Sequence, residues 1–308
     1  MDFVAGIDGG GTKTTLVMMD IQGNTISRKV YGAFNINSIG SEAFRTLLTE
    51  IASYLASVGC CQSLCIGAAG VSNKEMIEII SEVLREYSIE NFFLVGDHVI
   101  ALEGAHDGGP GIAVISGTGS ICFGKRLDGK IERTGGWGHI IGDAGSAYAL
   151  GRDMFRACAK QIDGYGQETL LLDLLAEKHG IRVREDIIGL VYTADKATIA
   201  SFAKIVEDAY VAGDRVASDI MHENARALSE EVKAVSRKLS ISSAKVALLG
   251  GMVDKDTPFR KLFIEYLSKL PGNLTCIDPV KSAANGAVML AFKTYLQNKG
   301  QRGDQDGC

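Results

Sequence analysis

The chain has 308 residues, of which 46% are hydrophobic, and its formal net charge at pH 7 is −5. This length and composition allow one large domain or two domains with well-filled cores, and we expect two lobes. The negative charge and the lack of a long Lys/Arg run argue against nucleic acid or an anionic membrane as a partner. Small molecules are therefore the expected partners.

Nothing at the start of the sequence is typical of a targeting or membrane segment. The chain opens on a strand-like run, and its apolar runs are shorter than the roughly 18 residues that a membrane helix needs. Seven cysteines are scattered along the chain, an odd number that does not resemble a disulfide framework. Cys60, Cys61 and Cys65 lie close together, but no second Cys or His cluster completes a zinc spacing. We expect a cytoplasmic protein with reduced thiols.

The first hundred residues alternate β-rich runs with helical periods, which is typical of a sheet with helical crossovers. Strands are predicted at 3–8, 14–20, 25–31, 64–69 and 92–97. Helices are predicted over 41–58, with Ser41 as N-cap, and over 73–87, starting at Asn73.

The pattern starts again after a Gly-rich break at 107–110. Strands are predicted at 112–116, 120–125 and 131–134, and Thr118 follows Thr12 by 106 residues, an offset that suits two related lobes. Beyond residue 146, helices are predicted over 146–163, 168–179, 199–211, 214–239 and 283–296, with strands at 245–249 and 274–278.

The stretch GIDGGGTKT, residues 6–14, is a candidate phosphate loop because glycines let backbone N–H groups converge on oxygen atoms. It fits neither the Walker A pattern nor the dinucleotide fingerprint. Taken alone, a flexible hairpin turn explains it equally well. However, ISGTGS at 115–120 repeats its chemistry, and a glycine pair follows the apolar strand at 246–249. Two such hairpins, facing each other across a cleft, could hold one polyphosphate from both sides.

With these motifs the chain resembles the actin, Hsp70 and sugar-kinase superfamily and, within it, the N-acetylglucosamine kinase and BadF/BadG group. GIDGGGTKT is similar to the first phosphate motif, ISGTGS to the second and LLGGM to the adenosine motif. GGWGHIIGDAGSAY, residues 135–148, is similar to the most distinctive signature of N-acetylglucosamine kinases, and FNIN around Asn35 resembles their sugar-contacting loop. The resemblance is close over residues 3–150 and looser over 160–240.

The resemblance implies an α/β fold of two ribonuclease H-like lobes with a nucleotide and sugar cleft between them. Residues 1–116 with 284–308 are expected to form the small lobe, and 117–283 the larger one. It also implies ATP and Mg²⁺ as cofactors and a homodimer. The implied ATP-binding residues are Gly10, Gly11, Thr12, Lys13, Gly117, Thr118, Gly119, Gly250 and Gly251.

Asp8 is suited to holding Mg²⁺, directly or through water; alternatively, it is a turn carboxylate that bonds its own loop. Asp97 ends a predicted strand at the carboxyl edge, where open α/β sheets place ligands, and the resemblance makes it the base for the sugar hydroxyl. Its alternative role is the N-cap of the following helix.

The implied sugar-binding residues lie mostly in the GGWGH signature. They are Asn35, Asp97, Gly136, Trp137, Gly138, His139 and Asp143. Trp137, the only tryptophan, would cover a sugar face, although a core position is its alternative. His139 contacts the sugar or serves as a structural donor.

We therefore expect an ATP-dependent kinase for the 6-hydroxyl of N-acetylglucosamine or a related amino sugar, such as glucosamine or N-acetylmuramate.

The alternative is a BadF/BadG-type ATPase that activates a partner dehydratase through an iron–sulfur cluster. Such a cluster needs thiolates at a dimer interface, and only Cys122 and Cys158 are candidates. A sugar-responsive repressor would need an N-terminal helix-turn-helix, which we do not expect because the sequence opens on the first predicted strand. The zinc-bearing sugar kinases are disfavoured by the missing Cys/His cluster.

Overall fold

The computed structural model describes residues 1–303, with side chains for residues 1–300. The chain divides into two compact units, which we call the first and the second unit. The first comprises Met1–Gly109 with the segment from Pro279 onward, and the second comprises Pro110–Asp278. The predicted boundaries fall later, after residues 116 and 283, and the last part of the predicted small lobe, 304–308, lies outside the described residues.

The elements are numbered in chain order. The strands are β1 (Asp2–Gly9), β2 (Thr14–Asp20), β3 (Thr25–Tyr31), β4 (Cys60–Ala68), β5 (Phe92–Gly96), β6 (Gly111–Ser116), β7 (Ser120–Lys125), β8 (Ile131–Gly135), β9 (Ser243–Leu249) and β10 (Asn273–Ile277). The helices are α1 (Ile36–Ile39), α2 (Ser41–Val58), α3 (Lys74–Glu86), α4 (Asp97–Ala105), α5 (Ala147–Ile162), α6 (Leu170–His179), α7 (Arg184–Val191), α8 (Lys196–Ser201), α9 (Ala203–Val211), α10 (Arg215–Leu239), α11 (Pro258–Ser268) and α12 (Ala283–Gly303). A short 3₁₀ turn covers Gly251–Val253.

The two units have the same sheet topology. In the first unit the strand order is β3-β2-β1-β4-β5, and in the second it is β8-β7-β6-β9-β10. The first three strands of each unit form an antiparallel meander, and the other two run parallel to the first. The predicted duplication of an α/β lobe is confirmed. Because β6 pairs with β7 and β9, it belongs to the second unit, which is why the observed boundary precedes residue 111.

Several helices begin at a side-chain cap, whereas α2, α4, α7 and α9 begin without one. Asn73 accepts the Met76 N–H at the start of α3, as predicted. The predicted cap Ser41 is wrong, because Gly40 occupies the N-cap position of α2 and the Ser41 hydroxyl donates to Glu75 instead.

Four helical features differ from the prediction. The helix expected over 199–211 is two helices, α8 and α9, which meet at Phe202. Helices α1, α7 and α11 were not predicted, although Thr257 followed by Pro258 is a clear start signal for α11. None of the helices within residues 1–303 combines the length and apolar character that a membrane-spanning helix needs.

Two glycines let α4 and α12 approach each other at backbone distance. A Cβ on Gly286 would lie 2.0 Å from the Ile100 carbonyl oxygen and 2.5 Å from the Gly104 nitrogen. Because α4 begins at Asp97, this crossing helps to fix the position of that carboxylate.

We expect Gly286→Ala to lower the free energy of unfolding by about 1–3 kcal/mol, because backbone atoms cannot yield to the added methyl group. Gly300→Ala, in the same helix with open space around it, is the matched control and should be neutral or slightly stabilising. Urea denaturation of both variants measures this. Equal free energies of unfolding for Gly286→Ala and Gly300→Ala would contradict the close approach of α4 and α12.

Candidate active site

Two aspartates lie at the carboxyl edge of the first sheet. Asp8 is the penultimate residue of β1, and Asp97 follows β5 as the first residue of α4. Only β4 separates the two strands, so the residues are two strand positions apart, roughly 10 Å across the sheet. Their charges interact, since Asp97 raises the pKa of Asp8.

The Asp8 carboxylate is half-buried and finds no hydrogen-bond partner among residues 1–300. Its pKa is raised above the ordinary value, first by burial and then by the charge of Asp97, while Lys13 and Arg28 lower it. The alternative of a carboxylate that bonds its own loop is therefore not observed.

These oxygens suit a hard cation. Mg²⁺ keeps several waters and takes one or two carboxylates together with substrate phosphates, so a full protein cage is unnecessary. No group of three or more His, Cys, Asp or Glu side chains within the described residues is arranged to hold a metal ion. The unpartnered Asp8 oxygens, with a second carboxylate nearby, fit Mg²⁺.

Asp97 is an exposed carboxylate held by its neighbour His98. Its Oδ1 accepts the His98 backbone N–H at 2.8 Å, and the imidazole Nδ1 lies 3.6 Å from the same oxygen. The hydrogen bonds from His98 hold the pKa of Asp97 below its ordinary value, although burial opposes them. Gly96, and not Asp97, occupies the N-cap position of α4, and it makes no side-chain cap bond. Asp97 is therefore an ionised acceptor rather than a helix cap.

The first glycine turn, residues 10–13, is closed by its own backbone. The Gly10 N–H donates to the Lys13 carbonyl, and the Gly10 carbonyl accepts from Phe34. No backbone acceptor for the N–H groups of residues 11–13 is found within the described part of the chain, and Gly11 has open space around it. Such free donors suit a phosphate group.

Asn35 lies beside this turn because the preceding residue, Phe34, is bonded to Gly10. Its side-chain oxygen accepts the Asn37 N–H and caps α1. The amide NH₂ group of Asn35 makes no hydrogen bond within residues 1–300 and remains available as a donor.

The second glycine turn, residues 117–119, is held by the start of α5. The Ala147 N–H donates to the Gly117 carbonyl at 2.8 Å, and the Gly117 N–H donates to Gly119. The hydroxyls of Ser116 and Ser120, which flank the turn, donate to the carbonyls of Gly145 and Ala144 at 2.7 Å each. The GDAGSAY part of the signature thus supports the second turn.

The third turn packs directly against the second. Gly250 has φ +97°, and a Cβ on it would lie 2.4 Å from the Ser116 carbonyl oxygen and 3.1 Å from the Gly117 nitrogen. The parallel pairing of Ile115 with Leu249 causes this, because both strands end at the same sheet edge. The second and third predicted nucleotide motifs therefore lie together in the second unit.

Asp143, expected at the sugar, is buried against the second glycine turn. Its Oδ1 accepts the Ser120 N–H at 3.3 Å, and its Oδ2 pairs with Lys196 Nζ at 2.7 Å. A Cβ on Gly119 would lie 2.8 Å from Oδ2. These contacts place Asp143 at the second turn, and each of its carboxylate oxygens accepts one hydrogen bond there.

The GGWGH segment forms an exposed loop in the second unit. Gly135, Gly136 and Gly138 all have positive φ, which favours glycine. The Trp137 side chain is 69% exposed, so the core alternative is wrong. The His139 ring packs edge-on against Tyr148, with centroids 4.8 Å apart. Trp137 also lines a cavity of about 610 Å³, together with Thr134, Arg152, Asn224 and Glu231.

Glu231 is an acidic residue in the wall of this cavity, and its pKa is shifted. Its Oε2 is buried without a hydrogen-bond partner among residues 1–300, and the same holds for the Thr134 hydroxyl. Burial raises the pKa of Glu231 to about 7; Cys122 lowers it and the charge of Asp143 raises it.

The pKa shift of Glu231 predicts a pH-dependent stability. Because its pKa in the folded chain exceeds the ordinary 4.5, stability from this group is full below about pH 4.5 and is lost as the pH rises through about 7. Glu231→Gln should therefore stabilise the protein by about 1–3 kcal/mol at pH 8 and by little at pH 4.5. Calorimetry at both pH values measures this, with the exposed neighbour variant Glu230→Gln as control. A pH dependence equal to that of the wild type would contradict the assignment.

Sequence reasoning missed three residues at these positions: His98, Lys196 and Glu231. Lys196 and Glu231 fall in the region where the resemblance is loose, and they reach the GGWGH and GDAG segments only through the packing of α8 and α10. His98 is adjacent to Asp97, which is the one signal in the sequence that could have identified it.

Comparisons with known proteins identify the family of this chain. The model of the BadF/BadG/BcrA/BcrD ATPase family matches residues 5–291. An N-acetylmuramic acid/N-acetylglucosamine kinase from Clostridium acetobutylicum is 36% identical, over 94% of this chain and 98% of the relative. An N-acetyl-D-glucosamine kinase from Dictyostelium discoideum is 29% identical, over 94% and 97%.

Solved structures show the same fold. A candidate N-acetylglucosamine kinase from Chromobacterium violaceum superposes with a TM-score of 0.71 at 23% identity, over 94% of this chain and 98% of that chain. A ROK family glucokinase from Streptomyces griseus, solved with glucose and AMPPNP, gives a TM-score of 0.53 at 18% identity, over 94% and 99%. Because the family model matches residues 5–291, which is nearly the whole chain, the chain belongs to the BadF/BadG/BcrA/BcrD ATPase family.

Proposed function

We propose that this protein is an ATP-dependent amino-sugar kinase that transfers the γ-phosphoryl group to the 6-hydroxyl of N-acetylglucosamine or a close relative. The observation that carries the proposal is the Asp97 carboxylate, ionised and exposed at the sheet edge that also holds Asp8 and the first glycine turn. The kinase names of the relatives from C. acetobutylicum and D. discoideum support the same activity.

Asp97 acts as the base in this proposal. Phosphoryl transfer asks a protein mainly to position its reactants and to neutralise charge. Asp97 accepts the hydrogen of the sugar hydroxyl, orients its oxygen, and takes the proton as transfer advances. The bond from the His98 N–H keeps one carboxylate oxygen in place, which leaves the other for the hydroxyl.

The phosphates are bound by backbone donors. We assign Gly10, Gly11, Thr12 and Lys13 to the first turn and Gly117, Thr118 and Gly119 to the second, with Gly250 and Gly251 against adenosine. Asp8 would hold Mg²⁺, which supplies positive charge to the β- and γ-phosphate oxygens when bound.

We assign sugar recognition to Asn35, Asp97, Gly136, Trp137, Gly138, His139 and Asp143. The exposed indole of Trp137 can cover a sugar face or an acetamido methyl group. Asp143 has one oxygen engaged by Lys196, so a sugar hydroxyl would have to use its remaining acceptor positions.

A substrate panel tests the proposal. The protein is incubated with ATP and Mg²⁺ and, separately, with N-acetylglucosamine, N-acetylmuramate, glucosamine and glucose, and ADP release is measured. We expect turnover with at least one N-acetylated amino sugar well above that with glucose. The absence of turnover with every hexose would contradict the proposal.

The alternative, a partner-activating ATPase with an iron–sulfur cluster, is not favoured by the thiols. Cys122 and Cys158 are both fully buried in the core of the second unit, and burial raises the pKa of Cys158 to about 12. A cluster shared between two chains needs accessible thiolates, and the core would have to open to supply these two.

A further inference from the structure

We infer that Lys196 is a phosphate-contacting residue, which supplies a positive charge to the nucleotide phosphates at the second glycine turn. This inference rests on the ATP binding in the proposed function. Lys196 is the first residue of α8, in the region of the chain to which the sequence assigns no site residue.

The Lys196 ammonium lies directly over the turn. A Cβ built on Gly119 would be 2.6 Å from Lys196 Nζ, closer than to any other atom. Gly119 therefore leaves open the space into which the ammonium projects. A phosphate bound by the backbone of residues 117–119 would be within contact distance of that group.

Asp143 holds the ammonium at this position but does not use all its donors. An ammonium has three N–H donors, and the Asp143 Oδ2 accepts one of them at 2.7 Å. The Lys196 side chain is 33% exposed, whereas that of Asp143 is 4% exposed. The carboxylate is thus on the protein side of the pair, and the ammonium faces outward with donors to spare.

The charge balance explains why a lysine is needed there. A lone buried carboxylate next to the turn would repel a phosphate and would itself be costly to bury. Lys196 neutralises Asp143 and leaves N–H donors for phosphate oxygens. A charge-assisted hydrogen bond to phosphate is about twice as strong as a neutral one, so its loss should be easy to measure.

The test compares nucleotides by isothermal titration calorimetry with Mg²⁺ present. We expect Lys196→Met to weaken binding of AMPPNP by about 10- to 100-fold and binding of AMP by less than about 2-fold, because only the longer nucleotide reaches the ammonium. Lys196→Arg should retain more AMPPNP affinity than Lys196→Met. Lys204→Met is the matched control, because Lys204 is an exposed lysine of α9 that pairs with Asp208.

A second pair of variants separates phosphate contact from simple neutralisation of Asp143. Asp143→Asn and the double variant Asp143→Asn/Lys196→Met contain no unpaired buried carboxylate, so we expect both to fold even if Lys196→Met alone does not. The double variant should bind AMPPNP about 10- to 100-fold more weakly than Asp143→Asn. Equal affinity of these two variants, or equal weakening of AMP and AMPPNP, would overturn the inference. These titrations contain no sugar, so they measure nucleotide binding alone. If the wild-type protein phosphorylated no sugar, the proposed function would be contradicted, but the titrations would still show whether Lys196 contacts the phosphates.

Discussion

Asp97→Asn is expected to lower kcat for sugar phosphorylation by about 10²- to 10⁴-fold, the usual contribution of a general base. The amide keeps the shape of the side chain and the hydrogen bond from the His98 N–H, but it cannot take a proton. Nucleotide affinity should change by less than about 2-fold, because Asp97 is assigned to the sugar. Steady-state kinetics, together with calorimetric titration of AMPPNP, measures both quantities.

The matched control for this variant lies at the other end of the same strand. Glu90 is an exposed acid just before β5, at the amino edge of the sheet. Glu90→Gln should leave kcat unchanged. Full activity of Asp97→Asn, or a loss of activity accompanied by a matching loss of nucleotide affinity, would refute the role of Asp97 as base.

Gly250→Ala is expected to lower the free energy of unfolding by about 2–3 kcal/mol and to weaken nucleotide binding at least about 10-fold. The alanine would have to adopt φ +97°, and its Cβ would lie 2.4 Å from the Ser116 carbonyl oxygen. Relief of that clash displaces the second glycine turn, which we assign to the phosphates. Thermal unfolding and calorimetric titration of AMPPNP give the two values.

The adjacent glycine is the control for this second prediction. A Cβ on Gly251 would have no atom within 4 Å, and the residue has no positive φ. Gly251→Ala should therefore change stability by less than about 0.5 kcal/mol, although it should weaken binding if adenosine lies against this residue. Equal stability of the two alanine variants would show that the third turn is not constrained as described.

Most of the fold could be predicted from the sequence because strands and turns leave a local pattern in the chain. Alternating apolar runs and glycine turns gave all ten strands approximately, including the repeat of the meander after residue 107. The helices of the second unit were harder to predict. Helix α7 has a single buried residue, Ile187, so it carries little of the periodic apolar signal on which a prediction depends.

The positions of the candidate site residues in the fold were predictable where those residues lie in short motifs. The glycine turns and the strand-end aspartates lie where the sequence puts them, and the packing of Gly250 against Ser116 brings two of the turns together. The partnership of Asp143 with Lys196 was not predictable, because it joins residues 53 positions apart through tertiary packing. That pairing, together with the hydrogen bond from Ser120, holds Asp143 at the second turn.

Transfer of a phosphoryl group from ATP to a sugar hydroxyl is tested most directly by the product of the reaction. The wild-type protein is incubated with ATP, Mg²⁺ and N-acetylglucosamine, and the product is analysed by ¹H–³¹P correlation NMR. We predict a phosphate monoester whose phosphorus couples to the two protons on carbon 6 of the sugar. Release of inorganic phosphate without any sugar ester would contradict the proposed kinase activity.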